Sequence, residues 1–270
     1  MAAALALPSP PFVNVPGTAN FRDAGDGKTM RYGLIYRSAD PSKATTDGLV
    51  KMNRSLGIQY IFDLRSTSEI QRDGPEWQGV QVDAPNPYAQ YGMIRRWTPV
   101  FADQDYGPEQ VALRYQQYTR SGSEGFVKAY RDILLAAPRA YGIIFRHLAS
   151  PDARPCLVHC TAGKDRTGVF VALLKMLAGV DKKAIGEEYA LTDVGLQHLK
   201  PVFMQRLLKN PRLQGNEAGV RNMMSSKKEN MEATVEMIER EFGGAEQYLR
   251  MYCKMGDGEI EGLKKNLRAV

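Results

Sequence analysis

His159-Cys160-Thr161-Ala162-Gly163-Lys164-Asp165-Arg166-Thr167-Gly168 follows the apolar pair Leu157-Val158 and precedes an apolar run from Val169 to Leu177. This reads as a strand, a tight loop and the first turn of a helix. The following helix is apolar nearly all round, so it is expected to be buried against a sheet. A loop of this kind turns backbone N–H groups inward at a helix N-terminus, where the dipole favours negative charge. The result is a cradle for a phosphate, with the Cys160 thiol beneath it and the Arg166 guanidinium beside it.

Moving outward, the chain alternates strands with helices. Leu34-Ile35-Tyr36-Arg37 reads as a strand. Thr45 or Thr46 caps a helix bearing Leu49, Met52 and Leu56, with Gly57 past its end. Ile58 to Phe62 is a second strand ending in Asp63-Leu64-Arg65, and Val80 to Val82 a third. Residues 84–108 are rich in Pro, Tyr and Gly and read as a long loop. Glu109 to Ser150 is helical in about three segments, the last opened by Pro138. After the central helix the chain is mostly helical. Ser226 and Glu229 form a capping-box pattern before Met231, Val235, Ile238 and Phe242, and Gly243-Gly244 ends that helix. The expected fold is therefore α/β, a mostly parallel sheet flanked by helices. Ligands of such sheets sit at the carboxyl ends of the strands, where His159-Cys160 and Asp63 both fall. Residues 1–11 are read as a disordered tail and 12–270 as a single domain, with about 84–122 as a lid or insertion.

Composition narrows the function. The chain has 270 residues, 43% hydrophobic and 24% charged, with a net charge of +6. No apolar run reaches the ~20 residues of a membrane helix. Three cysteines (Cys156, Cys160, Cys253) argue against a disulfide framework and for a reducing, cytoplasmic setting. No basic stripe interleaved with aromatics points to nucleic acid. The positive bias suits an anionic substrate or a peripheral contact with an anionic membrane equally. His147, His159 and His198 lack ligand spacing, so neither a metal nor another cofactor is expected.

The loop's chemistry follows from its residues. A helix N-terminus, inward N–H groups and nearby cations all favour a thiolate, the nucleophile that water is not. Arg166 presents a planar fork suited to two phosphoryl oxygens. Thr161, Ala162, Gly163, Lys164, Asp165 and Arg166 supply backbone N–H groups for the charge of the transition state. Cys160 would carry the phosphoryl group and water release it. Thr167 is placed to hydrogen-bond the departing thiolate, and His159 to shape the loop. A leaving oxygen needs a proton. Asp132, on an amphipathic helix, reads as solvated. Asp165, inside the loop, is the first candidate acid, with helix capping as its compatible alternative. Asp63 is the second, and an ion pair with Arg65 would occupy it structurally instead. Lys164 adds a charge useful to a polyanionic substrate. Cys156 is either a redox partner of Cys160 or core. Tyr88, Tyr91 and Trp97 either line a lid or pack a long loop.

The decapeptide resembles the signature of cysteine-dependent protein tyrosine phosphatases. Its Lys-Asp before Arg looks like the bacterial and fungal tyrosine-protein phosphatases related to mycobacterial protein tyrosine phosphatase B. Asn20-Phe21-Arg22-Asp23, Tyr36-Arg37-Ser38-Ala39, Leu56-Gly57-Ile58, and Asp63-Leu64-Arg65-Ser66 with Glu69 are similar to that family's N-terminal half. Asn230-Met231, Phe242-Gly243-Gly244 and Tyr248-Leu249 are similar to its C-terminal half. The resemblance implies activity on phosphotyrosine, phosphoserine/threonine and phosphoinositides, with mobile helices over the site. It also implies roles for Cys160, Lys164, Asp165 and Arg166. Ala24-Gly25-Asp26 replaces the family's Leu-Gly-Gly, so the hairpin there is expected to differ. A dedicated inositol-phosphate phosphatase and a non-catalytic phospho-ligand binder are the alternatives; the intact Cys160, Asp165 and Arg166 argue against the second.

Overall fold

Among the described residues, β5, Cys156–His159, lies at the middle of a five-stranded sheet of order β1-β2-β5-β3-β4. Its neighbours are β2, Ile35–Ser38, and β3, Tyr60–Asp63, both parallel to it. β4, Ile94–Trp97, extends the sheet in parallel beyond β3, and β1, Arg22–Asp23, closes the other edge antiparallel to β2. The computed structural model describes residues 7–70, 88–101, 115–120 and 122–269. Val80 to Val82 and the start of the expected helical stretch at Glu109 lie outside them.

Side-chain alternation divides the core. Ile35, Phe62, Cys156 and Val158 point to the large helical side. Tyr36, Ile61 and Leu157 point to a smaller cluster with Phe21, Met52 and Met93. Successive residues of a strand face opposite sides, so a sheet covered on both faces must be apolar at every step. That is why β5 is buried throughout.

The helix after the loop, Asp165–Ala178, is buried along most of its length, as its all-round apolarity requires. Among the described residues six helices pack around it. Five are Glu124–Ala136, Lys182–Gly195, Lys228–Phe242, Gly244–Met251 and Asp257–Leu267. The sixth, Pro138–Ala149, meets it through Tyr141 and Phe145 on Phe170. In chain order the helices of the described residues are α1 (Thr46–Val50), α2 (Thr67–Ile70), α3 (124–136), α4 (138–149), α5 (165–178) and α6 (182–195). They continue with α7 (Lys200–Leu207), α8 (Glu217–Met224), α9 (228–242), α10 (Gly244–Met251) and α11 (257–267).

Two expectations need correction. β4 falls within the stretch read as loop. It is an edge strand whose residues Ile94, Arg96 and Trp97 are largely exposed, so no apolar alternation marks it. The capping box also does not form. α9 begins at Lys228, and the Ser226 hydroxyl is buried without a hydrogen bond among the described residues. Elsewhere Thr45 caps α1, which runs on into a π turn at Lys51–Ser55. In the β1–β2 connection, Asp26 Oδ1 accepts from the N–H groups of Lys28, Thr29 and Met30. The Asp23 carboxylate accepts from Gly25 and Gly33.

Candidate active site

The loop from Cys160 to Lys164 leaves the carboxyl end of β5, and Asp165 opens α5. Three consecutive carbonyls are held from outside. Asp40 N–H donates to Thr161 O at 3.1 Å, Asn20 Nδ2 to Ala162 O at 3.2 Å, and Arg37 Nη2 to Gly163 O at 2.6 Å. These contacts fix the course of the loop over Cys160. Gly163 has φ +64°, and a Cβ there would stand 2.1 Å from Ser38 O. Only glycine lets the loop lie this close to the end of β2.

The tethers are themselves braced. Arg22 Nε and Arg37 Nη1 each reach a different oxygen of Glu188 on α6, both at 2.7 Å. Arg22 also binds Asn20 Oδ1 and the Thr192 hydroxyl. Burial opposes the charge on Glu188, but the two arginines outweigh it and bring its carboxyl down to about 2. Burial, then Arg37, lowers Arg22 to about 10, which still leaves it charged at neutral pH.

Arg166 is gripped by Glu69, Nη1 to Oε2 at 2.6 Å and Nη2 to Oε1 at 2.7 Å. Glu69 also accepts from Thr161 Oγ1 at 2.5 Å and from Ser66 N–H at 3.0 Å. Burial works against this carboxylate, and Arg166 more than compensates, bringing it to about 2. Such a bidentate pair fixes the plane of the guanidinium. The sequence reading assigned Glu69 no role. Its visible signal is Ser66-x-x-Glu69 at the start of α2, half of a capping box whose glutamate also reaches Arg166.

Asp165 Oδ1 accepts from Tyr130 Oη at 2.8 Å and from Lys164 Nζ at 2.7 Å. The Lys164 ammonium sits over the rings of Phe126 and Tyr118, at 4.9 and 5.3 Å from their centroids. Burial opposes its charge, but Asp165 prevails and raises its pKa. Thr167 Oγ1 is buried and has no hydrogen-bond partner among the described residues.

Asp63 stands apart from this group. It is fully buried and accepts from Arg65 at 2.9 and 2.8 Å and from Arg95 at 3.2 and 2.7 Å. Burial opposes its charge, and the Arg65 and Arg95 guanidinium groups outweigh it, driving the carboxyl far below the usual range. Burial also lowers the pKa of His159, so the ring is neutral near pH 7 and its 3.8 Å approach to Asp63 is not an ion pair. The two guanidinium groups therefore do the holding. Held in this way, Asp63 ties β3 to β4, and it does not line the cavity over Cys160. His159 Nδ1 lies 3.2 Å from Cys160 O and so helps shape the loop. Cys156 is in the core, a free thiol whose pKa burial pushes up.

A cavity of about 180 Å³ opens over Cys160. Its floor is Cys160 to Ala162, Lys164 to Arg166 and Glu69. Its walls are Phe101, Tyr115, Tyr118 and Ile133, and its cover is Leu196, Phe203, Leu207, Met223 and Met224 of the α6–α8 region. Lys200 and Arg206 also line it. The covering residues after α6 were not anticipated as part of the site. Tyr88, Tyr91 and Trp97 do not line the cavity. Tyr88 packs in the smaller core cluster, and Trp97 Nε1 donates to Arg65 O at 2.8 Å. No group of three or more metal-binding side chains occurs among the described residues.

The profile of the tyrosine phosphatase family matches residues 13–269. The triple specificity protein phosphatase PtpB of Mycobacterium tuberculosis is 31% identical over 210 residues, 69% of this chain and 71% of that protein. A tyrosine-protein phosphatase of Nostoc commune is 30% identical over 158 residues, 58% of this chain and 48% of that protein.

Proposed function

The chain belongs to the tyrosine phosphatase family, and on that footing we propose that it hydrolyses phosphate monoesters through a phosphocysteine at Cys160. The observation that carries this is the joining of Cys160, the Glu69-clamped Arg166 and Asp165 around one cavity. In the first step Cys160 Sγ bonds to phosphorus as the bond to the leaving oxygen breaks. Arg166 and the loop N–H groups from Thr161 to Arg166 hold the phosphoryl oxygens, and Asp165 protonates the leaving oxygen. In the second, water attacks phosphorus, Asp165 takes its proton, and the S–P bond breaks. The unpartnered Thr167 hydroxyl is available to the departing thiolate.

The cavity is lined by Lys164, Arg166, Lys200 and Arg206 together with apolar and aromatic residues. This supports phosphotyrosine proteins as substrates and favours phosphoinositides as a second class, whose further phosphates need added cations. PtpB, a relative, is named for triple specificity. No helix among the described residues is long and apolar enough to cross a membrane. The three cysteines are free and buried, which supports a reducing compartment such as the cytoplasm.

The test is hydrolysis of p-nitrophenyl phosphate, a phosphotyrosine peptide and a soluble phosphoinositide by Cys160→Ser and Asp165→Asn. Cys160→Ser is expected to abolish all three activities, and survival of any one would sink the thiolate mechanism. Asp165→Asn is expected to slow poor leaving groups by roughly 10²-fold or more, and good ones far less.

A further inference from the structure

Asp165 receives its hydrogen bonds on one oxygen. Tyr130 and Lys164 both donate to Oδ1, and Oδ2 has no hydrogen-bond partner among the described residues. A carboxylate oxygen has two lone-pair sites, so Oδ1 is saturated. Tyr130 Oη also lies 2.6 Å from Tyr189 Oη. Tyr130 has one hydrogen and gives it to Asp165, so Tyr189 must be the donor in that contact. The result is a chain with a single direction, from Tyr189 to Tyr130 to Asp165. The three residues come from α6, α3 and α5, and both phenols are fully buried. Burial, and then the charge of Asp165, pushes Tyr130 well above the usual phenol range, and burial raises Tyr189. Both therefore stay protonated donors at working pH. Gly168 has a part in this: a Cβ there would stand 3.2 Å from the Tyr189 ring.

We infer that Tyr130 and Tyr189 are positioning residues that orient Asp165 so that its transferable proton resides on Oδ2. The inference rests on the reading of Asp165 as the acid. As the bond from phosphorus to the leaving oxygen breaks, its electron pair goes to that oxygen, which takes the Oδ2 proton. The carboxylate left behind keeps Tyr130 and Lys164 on Oδ1. In the second step a water proton returns to Oδ2. Without the phenol, Lys164 alone holds Oδ1 and the carboxyl group can rotate, so the proton is no longer reliably aimed.

The test compares kcat/KM, which reports the first chemical step, for p-nitrophenyl phosphate and phenyl phosphate, a good and a poor leaving group. Tyr130→Phe is expected to lower the phenyl phosphate value by about tenfold, a fraction of the full general-acid contribution. The p-nitrophenyl phosphate value and inhibition by inorganic phosphate should stay within about twofold, since binding is not involved. Tyr189→Phe should act in the same direction and more weakly, and it serves alone should Tyr130→Phe fail to fold. In an Asp165→Asn background, Tyr130→Phe should add nothing. A fall that is equal for both substrates, or a further fall in that background, would overturn the inference. If Asp165→Asn itself slows both substrates alike, the acid assignment fails first. If Asp165→Asn discriminates between the leaving groups and Tyr130→Phe does not, only the inference fails.

Discussion

Gly163 carries a double constraint, a left-handed dihedral and a backbone oxygen 2.1 Å from where a Cβ would be. Gly163→Ala is expected to cost about 1–2 kcal/mol from the dihedral alone. It should also lift the loop off Ser38 and lower kcat/KM by about 10²-fold, the scale of a displaced catalytic group. Urea unfolding and p-nitrophenyl phosphate kinetics on one preparation check both effects. At this scale legibility followed sequence distance. Cys160 and Arg166 are recognisable because a single loop sets their spacing. Glu69 is 97 residues from Arg166, Tyr130 is 35 from Asp165, and Glu188 is 166 from Arg22. Nothing local in a lone glutamate or tyrosine announces a partner that far away.

Among the elements, α6 links the base of the loop to the cavity's cover. Its Glu188 holds Arg22 and Arg37, which hold Asn20 and Gly163, and Leu196 just past its end lines the cavity. Glu188→Ala would leave two guanidinium groups buried against each other, at a cost of about 3–5 kcal/mol. Linkage gives the sign of the pH effect. Glu188 and Glu69 fall from an ordinary 4.5 to about 2 on folding. Their contribution is complete above 4.5 and is lost as pH falls toward 2. Asp23 opposes them, since burial raises it from 3.8 to about 6 and its share is lost as pH rises through that interval. Two downward shifts outweigh one upward shift, so the urea midpoint should drop between pH 4.5 and 3. The drop should be shallower in Glu188→Gln. Periodicity revealed β5 and α5 because both are buried on every side. It missed β4, whose Ile94, Arg96 and Trp97 are exposed and which is held by a backbone ladder and by polar contacts of Arg95 and Trp97 rather than by apolar packing.

Across the whole molecule the charge is unevenly placed. Residues 196–228 hold seven Lys or Arg and one Glu, so this segment alone accounts for the chain's +6 and the remainder is neutral. The same segment supplies Lys200 and Arg206 to the cavity. Positive potential gathered around a site raises the encounter rate of anions and is screened by salt. For phosphotyrosine peptides, kcat/KM should fall several-fold between low and physiological salt, while kcat stays constant. Reversing the exposed Lys209 and Arg212 to Glu should reproduce that fall at low salt. An unchanged salt slope in that variant would show the segment's charge to be irrelevant to capture.

The ties around the loop also bear on how the protein reaches its active form. Arg37 meets Gly163 across 126 residues, Arg22 meets Glu188 across 166, and Arg166 meets Glu69 across 97. Contacts so distant along the chain form late and slowly, because large loops must close before they are rewarded. A collapsed intermediate with α3, α4 and α5 already helical would still lack an ordered phosphate cradle. Turnover would then return with the last step of refolding, and the chain would be unable to dephosphorylate anything until α6 had docked.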